Sequence, residues 1–119
     1  MQTYEVWSGD KRVLARCECD NSPLFRYKGL LGRKSLAAEE GILLLHCNSI
    51  HMFFMQFPID AVFLDKERRI IRICHRIQPW RISPLVWGAD AVLETAAGVC
   101  RQFALEQGVV LRFGQTGFS

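Results

Sequence analysis

Two residues in one apolar stretch carry side chains suited to chemistry. Within His51–Asp65, HMFFMQFPIDAVFLD, His51 stands beside aromatic residues and Asp60 stands between Ile59 and Ala61. A carboxylate in an apolar run must be hydrogen-bonded, paired with a cation, or pushed toward its neutral form. Its candidate partners are Arg33, His51 and backbone N–H groups freed at Pro58, because proline cannot donate to a strand ladder. Two roles stay open for Asp60: holding the bend by accepting those N–H groups, or handling a ligand or a proton. If a fold set Asp60 and His51 across one pocket, they would form an acid–base pair. Met52 and Met55 read first as core side chains that fill irregular gaps.

The remaining candidates are weaker. Cys17 and Cys19 would share one face of a strand, yet no second Cys/His pair stands at ligand spacing, so no metal site is expected. Basic residues form two groups: Arg26, Lys28, Arg33 and Lys34, then Arg68, Arg69, Arg72, Arg76 and Arg81. The second group, with Trp80 and Trp87 nearby, has the composition to hold phosphate or stack a base, although no nucleic-acid motif accompanies it. Walker A, GxGxxG, HExxH and GxSxG patterns are all absent, and no cofactor is expected.

These residues need elements to position them. Thr3–Ser8 and Lys11–Cys19 alternate apolar and polar residues around Gly9-Asp10, which reads as a hairpin. Ser22-Pro23 has the form of a helix start, ending at Gly32. Ile42–His46, His51–Gln56, Ala61–Asp65, Arg69–Ile77, Asp90–Glu94 and Val109–Phe113 read as strands. On that reading His51, Phe53 and Met55 share one face, and Met52, Phe54 and Gln56 the other. Residues 78–88, with Pro79, Pro84, Trp80 and Trp87, read as a long surface loop. A second helix is expected from about Ala96 to Gln107, and 114–119 as a frayed tail.

With 119 residues, half of them hydrophobic and 23% charged, the chain has the size and composition of one globular domain spanning 1–119. Many short strands and two short helices give a β-rich α+β fold. A small distorted β-barrel or jelly-roll-like sandwich buries more apolar surface than one open sheet would. A net charge of +3 is too mild to name a partner. Apolar runs such as Gly41–Leu45 are far shorter than the ~20 residues of a membrane span. Five cysteines, an odd number, point to reduced thiols and a cytoplasmic setting.

Several segments together resemble a known family. They are Lys28-Gly-Leu-Leu-Gly-Arg-Lys-Ser-Leu36, Glu40-Gly-Ile-Leu43, His51-Met-Phe-Phe-Met55, Phe57-Pro-Ile-Asp60, Val62-Phe-Leu-Asp65, Val92-Leu-Glu94 and Ala97-Gly98. In order and spacing they are similar to domain-of-unknown-function family 192, also called uncharacterised protein family 0127. The resemblance implies a small bacterial or archaeal protein, a mostly β sandwich or jelly-roll fold, and no established activity. It carries over Gly29, Gly32, Arg33, Gly41, Met55, Asp60, Asp65, Glu94, Gly98 and Gly108 as shared positions. Many members have Trp-Met-Lys-Asn-Thr where this chain has Phe54-Met55-Gln56-Phe57 and then Pro58. Any ligand contact made by that Lys, Asn or Thr is therefore missing here.

The expectation is a non-enzymatic binding or accessory domain. Its groove, formed by Arg33, His51, Met55 and Asp60, would take a small anionic ligand or a partner protein segment. Two alternatives stand beside it: an acid–base enzyme using Asp60 and His51, and nucleic-acid association through the Arg68–Arg81 surface.

Overall fold

The structure, a computed structural model, describes residues 2–20, 22 and 30–115. Seven strands form one mixed sheet: β1 (Gln2–Ser8), β2 (Lys11–Cys19), β3 (Glu40–Leu45), β4 (Ile59–Leu64), β5 (Ile70–Ile77), β6 (Ala91–Ala96) and β7 (Arg112–Gln115). Their order across the sheet is β5-β4-β6-β3-β2-β1-β7. Only β2 and β3 pair in parallel. The expected hairpin is β1–β2, turning at Gly9 with φ 61°. The helix expected from Ser22-Pro23 lies outside the described residues.

No strand ladder joins the two edges, yet the sheet curls until they meet at one end. Residues just before β7 pair with residues that open β5. The Ile70 N–H donates to Val109 O at 2.8 Å, the Gly108 N–H to Ile70 O at 2.8 Å, and the Leu111 N–H to Arg68 O at 3.0 Å. The β-rich, barrel-like expectation holds, as a curled and unclosed sheet.

Curling divides the apolar residues between two faces. The inner core takes side chains from both ends of the sheet, including Val6, Leu14, Cys17, Leu43, Val62, Leu64, Leu93 and Leu111. The outer core draws on the three central strands through Ile42, Leu44, Ala61, Phe63 and Val92. It is covered by Leu30, Leu36, Met52, Met55 and Val86 from the connections. Both faces of β4 are therefore buried along its whole length, as a central strand requires.

Two expected elements differ. The segment His51–Gln56 is not a ladder strand. It forms a turn in which the Met55 N–H donates to Met52 O at 3.2 Å, attached to the loop by one isolated bridge, His51 to Ile82. Its burial has a spacing of three: Met52 and Met55 point inward, Phe53 and Phe54 outward. The alternation expected for a strand does not apply to it.

The second helix is also shorter than expected. α1 spans only Val99–Gln102. β6 runs on through Ala96, Gly98 takes a left-handed conformation (φ 96°), and Ala104 takes another (φ 53°). These two reversals bound the helix on either side.

Gly41 on β3 leaves no room for a side chain between β2 and β6. A Cβ there would lie 2.6 Å from Leu14 Cδ1 and 2.9 Å from the Glu94 carbonyl oxygen. Backbone cannot step aside cheaply in a packed sheet. Gly41→Ala is expected to lose about 2 kcal/mol, read from the urea unfolding midpoint; an unchanged midpoint would contradict this packing.

Candidate functional site

Asp60 is fully buried on β4. Its Oδ1 accepts the Arg76 N–H at 2.9 Å, and its Oδ2 accepts the Gly98 and Cys100 N–H groups, each at 3.1 Å. Each contact has a local cause. Ile59 pairs with Ile77 and Ala61 with Cys74, so β5 carries an extra residue opposite Asp60. That bulge, with Arg76 at φ 51°, turns a backbone N–H away from the ladder. The other two donors open α1, where no local side chain caps the free N–H groups. One carboxylate thus closes a bulge and caps a helix 38 residues further along the chain.

The groups around Asp60 are not activated. Burial, followed by the Asp60 charge, pushes the Cys100 thiol up to about 12. A thiol held in that form is a poor nucleophile. Cys17 is likewise pushed up by burial. Cys17 and Cys19 do share a strand face, and it is the inner core. None of the five cysteines forms a disulfide, and no metal-ligating cluster occurs among the described residues.

Arg33 lies elsewhere. It donates to Glu40 Oε1 at 3.1 Å, and Arg16 stands 3.6 Å from Glu40 Oε2. The Ala37 N–H, against some desolvation, and then the charges of Arg33 and Arg16 hold the Glu40 carboxyl below its usual range. These groups line a cleft of about 90 Å³ with Thr3, Glu18 and Gly41. Two arginines face two glutamates there, so Arg33 offers no uncompensated charge to an anion.

His51 is exposed at the other side of the outer core, with its Nδ1 accepting the Phe53 N–H at 3.3 Å. Met55 is buried beneath it. The four residues expected to share one groove therefore fall in separate places. Asp60 belongs to the interior, Arg33 to the cleft, and His51 to a surface turn underlaid by Met55. The fold does not bring His51 and Asp60 together as an acid–base pair. The basic surface divides as well: Arg68 is paired with Asp90 at 3.4 Å and Arg69 donates to Gly108 O at 3.1 Å. Arg72, Arg76 and Arg81 remain exposed.

What gathers around His51 is aromatic. The Trp80 N–H donates to Met52 O at 2.7 Å, and the Met52 N–H donates to Arg81 O at 2.7 Å, which clamps the 78–88 loop onto the turn. The His51 and Phe53 rings lie 5.0 Å apart, Phe53 and Trp80 6.1 Å, and Phe54 and Trp80 4.8 Å in an edge-on contact. Phe54 is 70% exposed, Trp80 58% and the adjacent Ile82 66%. Phe54 (φ 65°) and Trp80 (φ 68°) both hold left-handed backbone, which bulky side chains rarely adopt. This platform escapes a strand reading of the sequence. The visible signal is a pair of adjacent Phe residues beside a Pro- and Trp-rich loop.

A second feature was legible only as a shared family position. Glu94 lies on β6 between its cross-strand neighbours Ile42 and Ala61. It is 5% exposed; no hydrogen bond or ion pair reaches its carboxyl among the described residues, and its oxygens are not wholly sealed from solvent. Burial alone pushes that carboxyl up to about 7.

Comparison with known proteins agrees with this fold. The model of the family described as "Uncharacterized ACR", domain-of-unknown-function family 192, matches residues 5–113. A UPF0127 protein of Thermococcus sibiricus is 45% identical over 51 residues, covering 43% of this chain and 32% of that protein. Another, from Pyrococcus horikoshii, is 35% identical over 79 residues, covering 64% of this chain and 63% of that protein. The matches thus span about a third to two thirds of those archaeal relatives. A solved structure of a protein of unknown function from Novosphingobium aromaticivorans superposes with a TM-score of 0.80 at 25% identity, over 92% of this chain and 83% of that one. A putative transcription regulator from Sinorhizobium meliloti superposes with a TM-score of 0.76 at 21% identity, over 94% of this chain and 92% of that one, a likeness of fold alone.

Proposed function

The chain belongs to the Uncharacterized ACR family, which has no established activity, and we propose that it is a non-enzymatic binding domain that docks through the aromatic platform. The observation that carries this reading is the pair Phe54 and Trp80. Both rings project into solvent from left-handed backbone and touch each other. Such backbone costs about 1–2 kcal/mol at a bulky residue, and strain of this kind concentrates at binding and catalytic sites. Exposed aromatic rings on a rigid base suit recognition, because they offer much contact area with little side-chain freedom to lose. Nothing about the platform calls for proton transfer: Asp60 faces away from it, and His51 has an aromatic neighbour in place of a carboxylate. Five cysteines outside any disulfide favour a reducing, cytoplasmic setting.

The test uses Phe54→Gly with Trp80→Gly. Removing two strained backbones offsets the lost ring contact of about 0.5–1.5 kcal/mol, so the folded protein is expected to keep its thermal stability. In growth competition, under conditions where the gene deletion is outcompeted, this double variant is expected to fail as the deletion does. His51→Ala is expected to retain most of its fitness. A double variant that is present at wild-type level and competes like wild type overturns the docking reading.

A further inference from the structure

Resting on the docking reading, we infer that the surface met by the platform is an anionic lipid bilayer. The first ground is shape and composition. The apolar side chains stand outward from two adjoining segments: Phe53 and Phe54 from one, Trp80, Ile82, Leu85 and Trp87 from the other. Two of the three tryptophans of the chain are in this set, and Trp87 is 87% exposed. Aromatic side chains of this kind settle at the boundary between headgroups and acyl chains, where an apolar ring and a polar edge are both satisfied.

The second ground is charge. The platform comes from the turn at 51–56 and the loop at 78–88, which lie within the longer stretches 41–59 and 68–89. Neither stretch contains a single Asp or Glu, although the chain has twelve. The longer stretches hold all three histidines and five arginines; Arg68 and His46 stand beside Asp90, and of the arginines only Arg81 lies in the platform's own segments. Arg81 is exposed between Trp80 and Ile82, and Arg72 is exposed on β5, paired across the strands with Phe63 of the outer core. Neither has a carboxylate partner among the described residues. Apolar rings beside unpaired arginines match a surface with an apolar interior and acidic headgroups.

Other occupants fit less well. A second copy would meet this face with the same acid-free face, which offers Arg81 no carboxylate. A protein segment is ordinarily held in a groove or on a free strand edge, whereas these rings project outward. The contact is peripheral: no helix of the described residues is long and apolar enough to cross a membrane.

The experiment is co-sedimentation of the full chain with two sets of unilamellar vesicles. One set is phosphatidylcholine alone, and the other contains roughly one third phosphatidylglycerol. Wild type is expected to sediment with the anionic vesicles at low salt, with its tryptophan emission shifted to the blue, and to be released as salt screens the charges. Phe54→Gly with Trp80→Gly is expected to lower this partitioning by more than about tenfold. Arg72→Gln with Arg81→Gln is expected to lower it by about tenfold on anionic vesicles and leave the neutral ones unchanged. Thermal melts that match wild type show that each variant is folded.

Absence of wild-type binding to the anionic vesicles at low salt overturns the lipid inference. The docking reading is then decided by the growth competition, and a failing double variant there assigns the platform to a protein partner. Equal binding to both vesicle types overturns the assignment of an anionic surface. Anionic-vesicle binding that survives loss of both rings overturns the platform as the lipid site, and the docking reading is again decided by the growth competition.

Discussion

Asp60→Ala is expected to lose about 4 kcal/mol of folding stability, and Asp60→Asn about 3 kcal/mol. The carboxylate accepts three backbone N–H groups in a fully buried position. Hydrogen bonds to a charged group contribute about 1.5–3 kcal/mol each, and buried donors left unpaired add a desolvation penalty. Asn keeps one acceptor oxygen but turns its NH2 group toward at least one of the same donors. Against a total stability of about 5–15 kcal/mol for a domain of this kind, either loss leaves a marginal protein. Urea unfolding measures the effect. Amide exchange locates it, since the Arg76, Gly98 and Cys100 N–H groups should lose protection in particular. A loss below about 1 kcal/mol in the Asn variant would show that these contacts do not hold the bulge and helix, and would return Asp60 to the functional candidates.

The second large effect is at Glu94 and depends on pH. Burial raises its carboxyl from 4.5 to about 7 in the folded protein. The folded state therefore binds a proton more tightly than the unfolded state between those values. Where the native state holds more protons, stability falls as pH rises. The wild-type protein should lose stability from about pH 4.5 to about pH 7, then level off once the carboxyl is charged in both states. The full difference amounts to roughly 3 kcal/mol. Glu94→Gln removes the titrating group while keeping the side chain's size. It is expected to be more stable than wild type at alkaline pH by an amount approaching that figure. Below pH 4.5 the pH-dependent part of the difference vanishes. Denaturation of both proteins across the pH range gives the difference curve, in which groups common to both cancel. A curve that is flat between acid and alkaline pH would mean that water or a partner group already satisfies this carboxyl.

The same geometry separates the two groups of the acid–base reading, His51 and Asp60. An acid–base pair needs two groups within reach of one proton. His51 is exposed against Phe53, whereas both oxygens of Asp60 are engaged with backbone in the interior. The anion groove fails for a related reason. Arg33 was the cation meant to attract the ligand, and Glu40 already accepts its hydrogen bond.

Much of the β framework was legible from local pattern. The hairpin around Gly9, the buried strands at Glu40–Leu45 and Ile59–Leu64, and the long strand at Ile70–Ile77 each have a repeat or a turn residue that a short window detects. The motifs that marked the family run in order from Lys28 to Gly98, inside the 5–113 that the family model matches. The turn at Met52–Met55 was misread. A dense run of Phe and Met fits strand propensity, and only clamping by the 78–88 loop fixes which side chains point out. The second helix was read too long because its apolar positions suit a helix, while the left-handed Gly98 and Ala104 cut it short.

The sequence by itself determined that this chain makes a β-rich domain, that Asp60 needed hydrogen-bond donors, a cation or a proton inside it, and that residues 41–59 and 68–89 carry no acidic side chain. Alternation, turn residues and charge are properties of short stretches, so they survive without coordinates. Tertiary structure alone decided that the donors for Asp60 come from a bulge in β5 and the start of α1, and that Glu94 lies between Ile42 and Ala61 without a partner among the described residues. It also placed Phe54 against Trp80, 26 residues away, on an outward platform. Those three facts depend on how strands curl and which loops cross over them, and the free energy that selects such an arrangement belongs to the whole packed chain.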